Sequence, residues 1–273
     1  MGRRSDGYHE IETILQTIDL HDEIELRSTP QNIHIQCNHP LVPEDETNLV
    51  YKSAQRMREV YAIQHGADMK IQKVIPVGAG LGGGSSNAAV VLLGLVRLWR
   101  LDISERDVVT LAAQIGSDVP FFLKGGTALA TGRGQNLEYF KADWGEAGLV
   151  LVYPRVIVSS AWAYKRVKIS LTQKDNYVNL KSLFQKGIID PSGLNVLLGN
   201  DLEKYVSRRY PVIEEAKAAL LSEGAVATAM TGSGSCVYGV FLSRKEARKA
   251  AHRIIHPEWD VFLTKPINPG EKE

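Results

Sequence analysis

The chain has 273 residues, 44% hydrophobic and 23% charged, with 24 Gly and 11 Pro, a composition typical of globular proteins and unlike disordered or collagen-like chains. Lys and Arg number 32 against 31 Asp and Glu, so no basic field recommends nucleic acid as a partner; the longest apolar run, around residues 88–95, is far below the roughly 20 residues that span a membrane. Cys37 and Cys236 are the only cysteines and do not form a CxxC pair, which with the lack of an apolar leader leads us to expect a cytoplasmic protein without structural zinc.

Residues 11–18 and 23–27 alternate apolar and polar side chains and are predicted strands, with His21-Asp22 as the turn of a hairpin. Residues 48–61 read as a helix, 69–77 as a strand, and 86–99 as a helix with Ala88, Leu92, Leu95, Val96 and Trp99 on one face. Ser104 and Asp107 have capping-box spacing ahead of a helix that ends near Gly116, a glycine suited to a left-handed turn. Residues 121–131 read as two short strands around Gly125-Gly126, and the acidic stretch 141–148 as a linker. Beyond it, strands are predicted at 149–153, 225–230, 236–242 and 261–264. Helices are expected at 161–168, 180–186, 211–221 and 243–255. Local strand pairing in both halves implies an α+β fold, divided into residues 1–145 and 146–273.

The stretch Pro76-Val77-Gly78-Ala79-Gly80-Leu81-Gly82-Gly83-Gly84-Ser85-Ser86-Asn87 lies between a predicted strand and a predicted helix. Five glycines among residues 78–84 free the backbone to turn successive N–H groups toward one anion, and the following helix adds its unpaired N–H groups and positive dipole end. The pattern therefore predicts a phosphate cradle. Gly78, Gly80 and Gly83 satisfy GxGxxG, but Asp102, near the distance of a ribose-binding acid, sits between helical patterns instead of ending a strand. Gly84 stands where a Walker loop places its lysine. Neither common nucleotide motif fits.

This loop resembles the Pro-x-Gly-x-Gly-Leu-Gly-Gly-Gly-Ser-Ser signature of the GHMP small-molecule kinases. Three more blocks resemble the branch of that family whose substrate carries a cytidine diphosphate moiety: Gly2-Arg3-Arg4-Ser5-Asp6-Gly7-Tyr8-His9-Glu10, Ser117-Asp118-Val119-Pro120-Phe121-Phe122, and Asn200-Asp201-Leu202-Glu203 with Thr231-Gly232-Ser233-Gly234-Ser235-Cys236. The resemblance implies a two-domain GHMP kinase fold, an N-terminal mixed α/β domain with the Gly-rich loop followed by a ferredoxin-like α+β domain. It also implies ATP-dependent phosphorylation of a hydroxyl on a small molecule, with Mg²⁺, by a monomer or homodimer that binds neither nucleic acid nor membrane.

By the same resemblance residues 76–86 bind ATP, and Asp118 is the catalytic group that orients or deprotonates the attacking hydroxyl. Taken alone, an Asp before Val-Pro is more often a turn or cap residue. Tyr8 and His9 would stack on and read the cytosine, with Tyr164 covering its other face, although Trp162 stands two residues away. Gly232 and Ser233 would close on the phosphates, where a plain hairpin turn is the simpler alternative. The family opens with a Pro-Ala-Lys-x-Asn strand whose Lys pairs with the catalytic Asp, and residues 1–273 contain no such segment. The expectation is that the sequence starts one strand late and that a protein of this length binds ATP analogues but turns over slowly. Another GHMP alcohol kinase, of homoserine or mevalonate type, and a catalytically impaired nucleotide-binding form stay open.

Overall fold

The structure, a computed structural model, describes residues 10–167, 182–194 and 198–269. Its contacts divide into two compact units. One takes His21–Val77 and Gly82–Gly125; the other takes the described residues through Leu20, Gly78–Leu81, and those from Gly126 onward.

The first of these is built on strands β2 (Glu23–Thr29), β3 (Ile33–Cys37) and β4 (Gly66–Gln72), in the order β2-β4-β3. β2 runs antiparallel to β4 and β3 parallel to it. Ala67, Met69 and Ile71 of β4 point into the core and alternate with exposed Asp68, Lys70 and Gln72, the period of a strand with one face covered. Helices α1 (Leu49–Tyr61) and α2 (Gly83–Leu98) supply that cover, and α3 (Glu105–Ile115) and α4 (Val119–Lys124) pack against them. Leu92, Leu95, Met57, Leu111 and Ile35 meet the sheet in one apolar cluster. The caps follow the sequence: Asn48 accepts from the Val50 N–H, and Ser104 from the Asp107 N–H.

In the other unit β1 (Ile11–Gln16), β5 (Thr127–Gly132) and β6 (Asn136–Phe140) form an antiparallel sheet in the order β1-β5-β6. A second antiparallel sheet has the order β10-β7-β9-β8, made by β7 (Gly148–Tyr153), β8 (Ala227–Met230), β9 (Val237–Phe241) and β10 (Asp260–Thr264). Helices α5 (Ser160–Arg166), α6 (Glu203–Arg209) and α7 (Val212–Ser222) lie between β7 and β8, and α8 (Arg244–Arg253) between β9 and β10. A βαββαβ order with the fourth strand beside the first is the ferredoxin-like arrangement expected for the C-terminal half. All six residues of β7 are buried. Val150 and Val152 face α7 and α8, while Leu149 and Leu151 enter separate clusters on the opposite side.

Several local expectations are corrected. His21-Asp22 does not turn a hairpin: β1 pairs with β5 and β2 with β4, because alternation marks a strand but not its partner. Residues 121–124 belong to α4, not to a strand; Pro120 in the first turn presets the helix, and a short apolar run carries no period that separates the two. Gly116 is extended, with φ −174°, and makes no left-handed turn. Helix α2 starts three residues before the predicted Ser86, and β3, β6 and α6 carry no expectation from the sequence. The stretch predicted as a linker is ordered by Asp143, whose N–H donates to the Gly187 carbonyl and whose carbonyl accepts the Ile189 N–H. Of the predicted helix at 180–186, residues 182–185 are helical and the start lies outside the described residues.

Candidate active site

The glycine-rich stretch connects β4 to α2, as predicted. Its second half is a helix N-terminus. Gly82 caps α2 in the left-handed conformation, φ 70°, and contributes no side-chain acceptor. The Ser86 N–H makes the first bond of the helix, to the Gly82 carbonyl, so the N–H groups of Gly83, Gly84 and Ser85 precede the helical ladder and α2 directs its positive dipole end there. A Cβ placed at Gly84 would meet nothing closer than Leu49 Cδ1 at 3.9 Å, and its φ is helical. Packing therefore gives no reason for glycine at this exposed position, whereas close approach of a ligand to the backbone does.

Behind that N-terminus lies a buried ion pair that sequence reasoning missed. The Lys73 ammonium sits 3.0 Å from Asp22 Oδ2, with side chains 5% and 0% exposed, and also donates to the Ile75 carbonyl. Asp22 Oδ1 accepts the N–H groups of Val74 at 2.7 Å and Ile75 at 2.8 Å. Asp22 is thus the acceptor that fixes the chain as it leaves β4 toward the glycines. Burial pushes the Lys73 pKa down, against the attraction of Asp22. A Cβ at Gly83 would come within 3.0 Å of Ile75 Cγ2 and 3.2 Å of Lys73 Nζ, so this glycine is set by packing. No sequence motif signals the pair, whose members are 51 positions apart.

Asp118 stands at the N-cap position of α4 but makes no capping bond. The turn-or-cap alternative would use its carboxylate on the helix; here the group is not spent. It keeps an exposed surface, while the protein packed around it makes ionisation more costly and raises its pKa. Helix α4 packs on α2, and Phe122, one turn beyond Asp118, lies so close to Gly82 that a Cβ there would be 2.7 Å from the ring. The contact packs the Phe122 ring of α4 against the N-cap of α2.

The first half of the stretch is held differently. Gly78 and Gly80 have φ of 68° and 77°. The carbonyls of Gly78, Ala79 and Gly80 accept from the Val158 N–H, the Cys236 N–H and Thr231 Oγ1. A Cβ at Gly80 would overlap the Thr231 carbonyl and lie 2.9 Å from the Gly234 nitrogen, and one at Gly232 would be 2.8 Å from the Gly80 carbonyl. Residues 231–236 do connect the antiparallel strands β8 and β9, so the hairpin reading of Gly232 and Ser233 is correct as geometry; the connection also docks on Gly80. Ser233, 7% exposed, bonds Ser160 Oγ at 2.8 Å. Tyr164 lies on α5 and is half-buried against the cluster around Val206 and Ile213. Tyr8 and His9 lie outside the described residues.

Two family descriptions match the chain, "GHMP kinases N terminal domain" over residues 48–126 and "GHMP kinases C terminal" over 180–257. A 4-diphosphocytidyl-2-C-methyl-D-erythritol kinase of Acetivibrio thermocellus is 39% identical over 269 residues, covering 98% of this chain and 94% of the relative. The chain belongs to the GHMP kinase family. A kinase of the same name from Synechococcus sp. (strain JA-2-3B'a(2-13)) is 41% identical across 96% of this chain and 86% of its own. Among solved structures, a crystal structure of 4-(cytidine 5'-diphospho)-2C-methyl-D-erythritol kinase superposes with a TM-score of 0.77 at 28% identity, covering 98% of this chain and 94% of that one. Homoserine kinase from Cytophaga hutchinsonii shares the fold, with a TM-score of 0.78 at 21% identity over 94% of this chain and 90% of that one. As a GHMP kinase the protein is an enzyme that transfers a phosphoryl group from ATP to a small molecule. Among the described residues no helix is long and apolar enough to cross a membrane.

Proposed function

We propose that this GHMP kinase uses ATP to phosphorylate the 2-hydroxyl of 4-diphosphocytidyl-2-C-methyl-D-erythritol, a step of the non-mevalonate (methylerythritol phosphate) route to isoprenoid precursors in the cytoplasm. The observation that carries the substrate is the relationship over nearly the whole chain, at 39% and 41% identity, to two proteins bearing that name. Residues 1–145 and 146–273 serve as the N- and C-terminal kinase domains; the two family matches fall one in each.

Phosphoryl transfer requires positioning and charge neutralisation more than covalent chemistry. Pro76, Val77, Gly78, Ala79, Gly80, Leu81, Gly82, Gly83, Gly84, Ser85 and Ser86 hold the ATP phosphates, with the open N–H groups at the head of α2 as donors. Asp118 accepts the proton of the substrate hydroxyl while its oxygen bonds the γ-phosphorus and the bond to the ADP oxygen breaks. The uncommitted carboxylate and its raised pKa suit a base that must take a proton at neutral pH. Tyr8, His9 and Tyr164 hold the cytosine, and Gly232 and Ser233 lie on the phosphate side. Mg²⁺ is the cation that the family resemblance implies, and it needs few protein ligands when phosphates supply the rest. The Ser85 and Ser86 hydroxyls would hold it, where it would neutralise phosphate charge.

The test is ADP release with the cytidyl-linked alcohol, homoserine and mevalonate as acceptors in parallel. Turnover confined to the first is expected; equal turnover with homoserine or mevalonate overturns the assignment.

A further inference from the structure

The Asn200-Asp201-Leu202-Glu203 segment, which the sequence singles out without a role, makes a specific set of bonds. Asn200 Nδ2 donates to two carbonyls, Met230 at 2.8 Å and Gly232 at 2.7 Å, while its Oδ1 accepts the Leu202 N–H at 2.9 Å. Both polar atoms of the amide are thereby committed. Glu203 Oε2 accepts the Met230 N–H at 2.7 Å, and Oε1 pairs with the Lys217 ammonium. The end of β8 and the first glycine of the β8–β9 connection are thus gripped from one side by a carboxylate and an amide. On the other side the same connection meets Gly80 through Thr231 Oγ1, and meets Ala79 through the Cys236 N–H.

We infer that Asn200 and Glu203 are positioning residues, which hold the 231–235 connection in the one path that seats Gly80 and so shape the first half of the nucleotide loop. The inference rests on the reading of residues 76–86 and 232–233 as the phosphate-binding part of the site. Its physical core is the sign of the groups that meet. Two backbone carbonyls converge on one position, and only a side chain with two N–H donors and one acceptor satisfies them together with the Leu202 N–H. A carboxylate of the same shape sets its own oxygen against both carbonyls and pushes the connection off Gly80.

Asn200→Asp, with Asn200→Ala as a second variant should Asp prevent folding, is compared with Lys217→Met, which removes the ion pair but leaves the Glu203 bond to Met230. Amide hydrogen exchange of the full chain is read at residues 79–80 and 231–236, and kcat and both KM values are measured with ATP and the cytidyl-linked alcohol. The Asn200 variants are expected to lose protection at both segments and to drop kcat about 10- to 100-fold, with KM for the alcohol little changed. Lys217→Met is expected to lower the melting temperature while keeping that protection and kcat. Unchanged protection in the Asn200 variants overturns the inference whatever the substrate is. A fall in kcat that tracks melting temperature across all variants also overturns it. Lost protection with unchanged kcat removes the connection from the phosphate site and overturns the reading on which the inference rests.

Discussion

The two halves of the glycine-rich stretch look alike as sequence and differ as structure. In Gly78-Ala79-Gly80 the glycines have positive φ, the three carbonyls are taken by Val158, Cys236 and Thr231, and the space a side chain would need is filled by the Ile157 side chain at Gly78 and by backbone at Gly80. In Gly82-Gly83-Gly84 only Gly82 has positive φ, the peptides lead into α2, and at Gly84 a Cβ would touch almost nothing. The first half is glycine because the protein packs on itself. In the second, one glycine is left for which only an approaching ligand accounts. A glycine count therefore overstates the ligand's share of the motif.

The sharpest test of the open half is Asp118→Asn, expected to lower kcat by about 10² to 10⁴ without loss of stability. The sign follows from the raised pKa. A carboxyl that ionises less readily when folded destabilises the native state above its folded pKa, and this effect vanishes below the unfolded value. Asn lacks the penalty, so the variant should melt higher than the parent at pH 7, with the difference shrinking as pH falls from the raised pKa toward the ordinary aspartate value. A lower melting temperature at pH 7 would contradict the assigned desolvation.

Behind the same half, Asp22→Ala strands the buried Lys73 ammonium and leaves the Val74 and Ile75 N–H groups without their acceptor. It should cost about 3–5 kcal/mol in urea unfolding. Gly80→Ala addresses the docked half: strain at positive φ and overlap with the Thr231 carbonyl should together cost about 2–4 kcal/mol, with kcat falling alongside. Gly84→Ala should show the reverse, a gain of up to about 1 kcal/mol from helix propensity and a raised KM for ATP. Should Gly84→Ala instead destabilise the fold and leave KM alone, the contrast between the halves fails.

Much of this was legible before any coordinates. Asn48, Ser104 and Ser243 announce helix starts that the structure keeps, periodicity locates α2 and the second half of β4, though residues 73–77 are not strand, and a continuous apolar run and Pro211 locate β7 and α7, because such signals act between residues a few positions apart. Asp22 read as a turn because its partners, Lys73 to Ile75, are remote in sequence and carry no local signature. Phe121 to Lys124 read as a strand because so short an apolar run cannot show a period, and packing of α4 on α2 decides the outcome.

Taken as a string, the residues determine the family and the chemistry: a glycine stretch at a strand-to-helix step, a carboxylate before Val-Pro, and blocks in the order of one kinase family. Tertiary structure alone decides which glycines face protein and which face open space, that Asp118 is spared from capping, and that Asn200 reaches the connection 32 residues away. Those properties depend on atoms brought together by long-range packing, and no local rule of sequence encodes a distance across the fold.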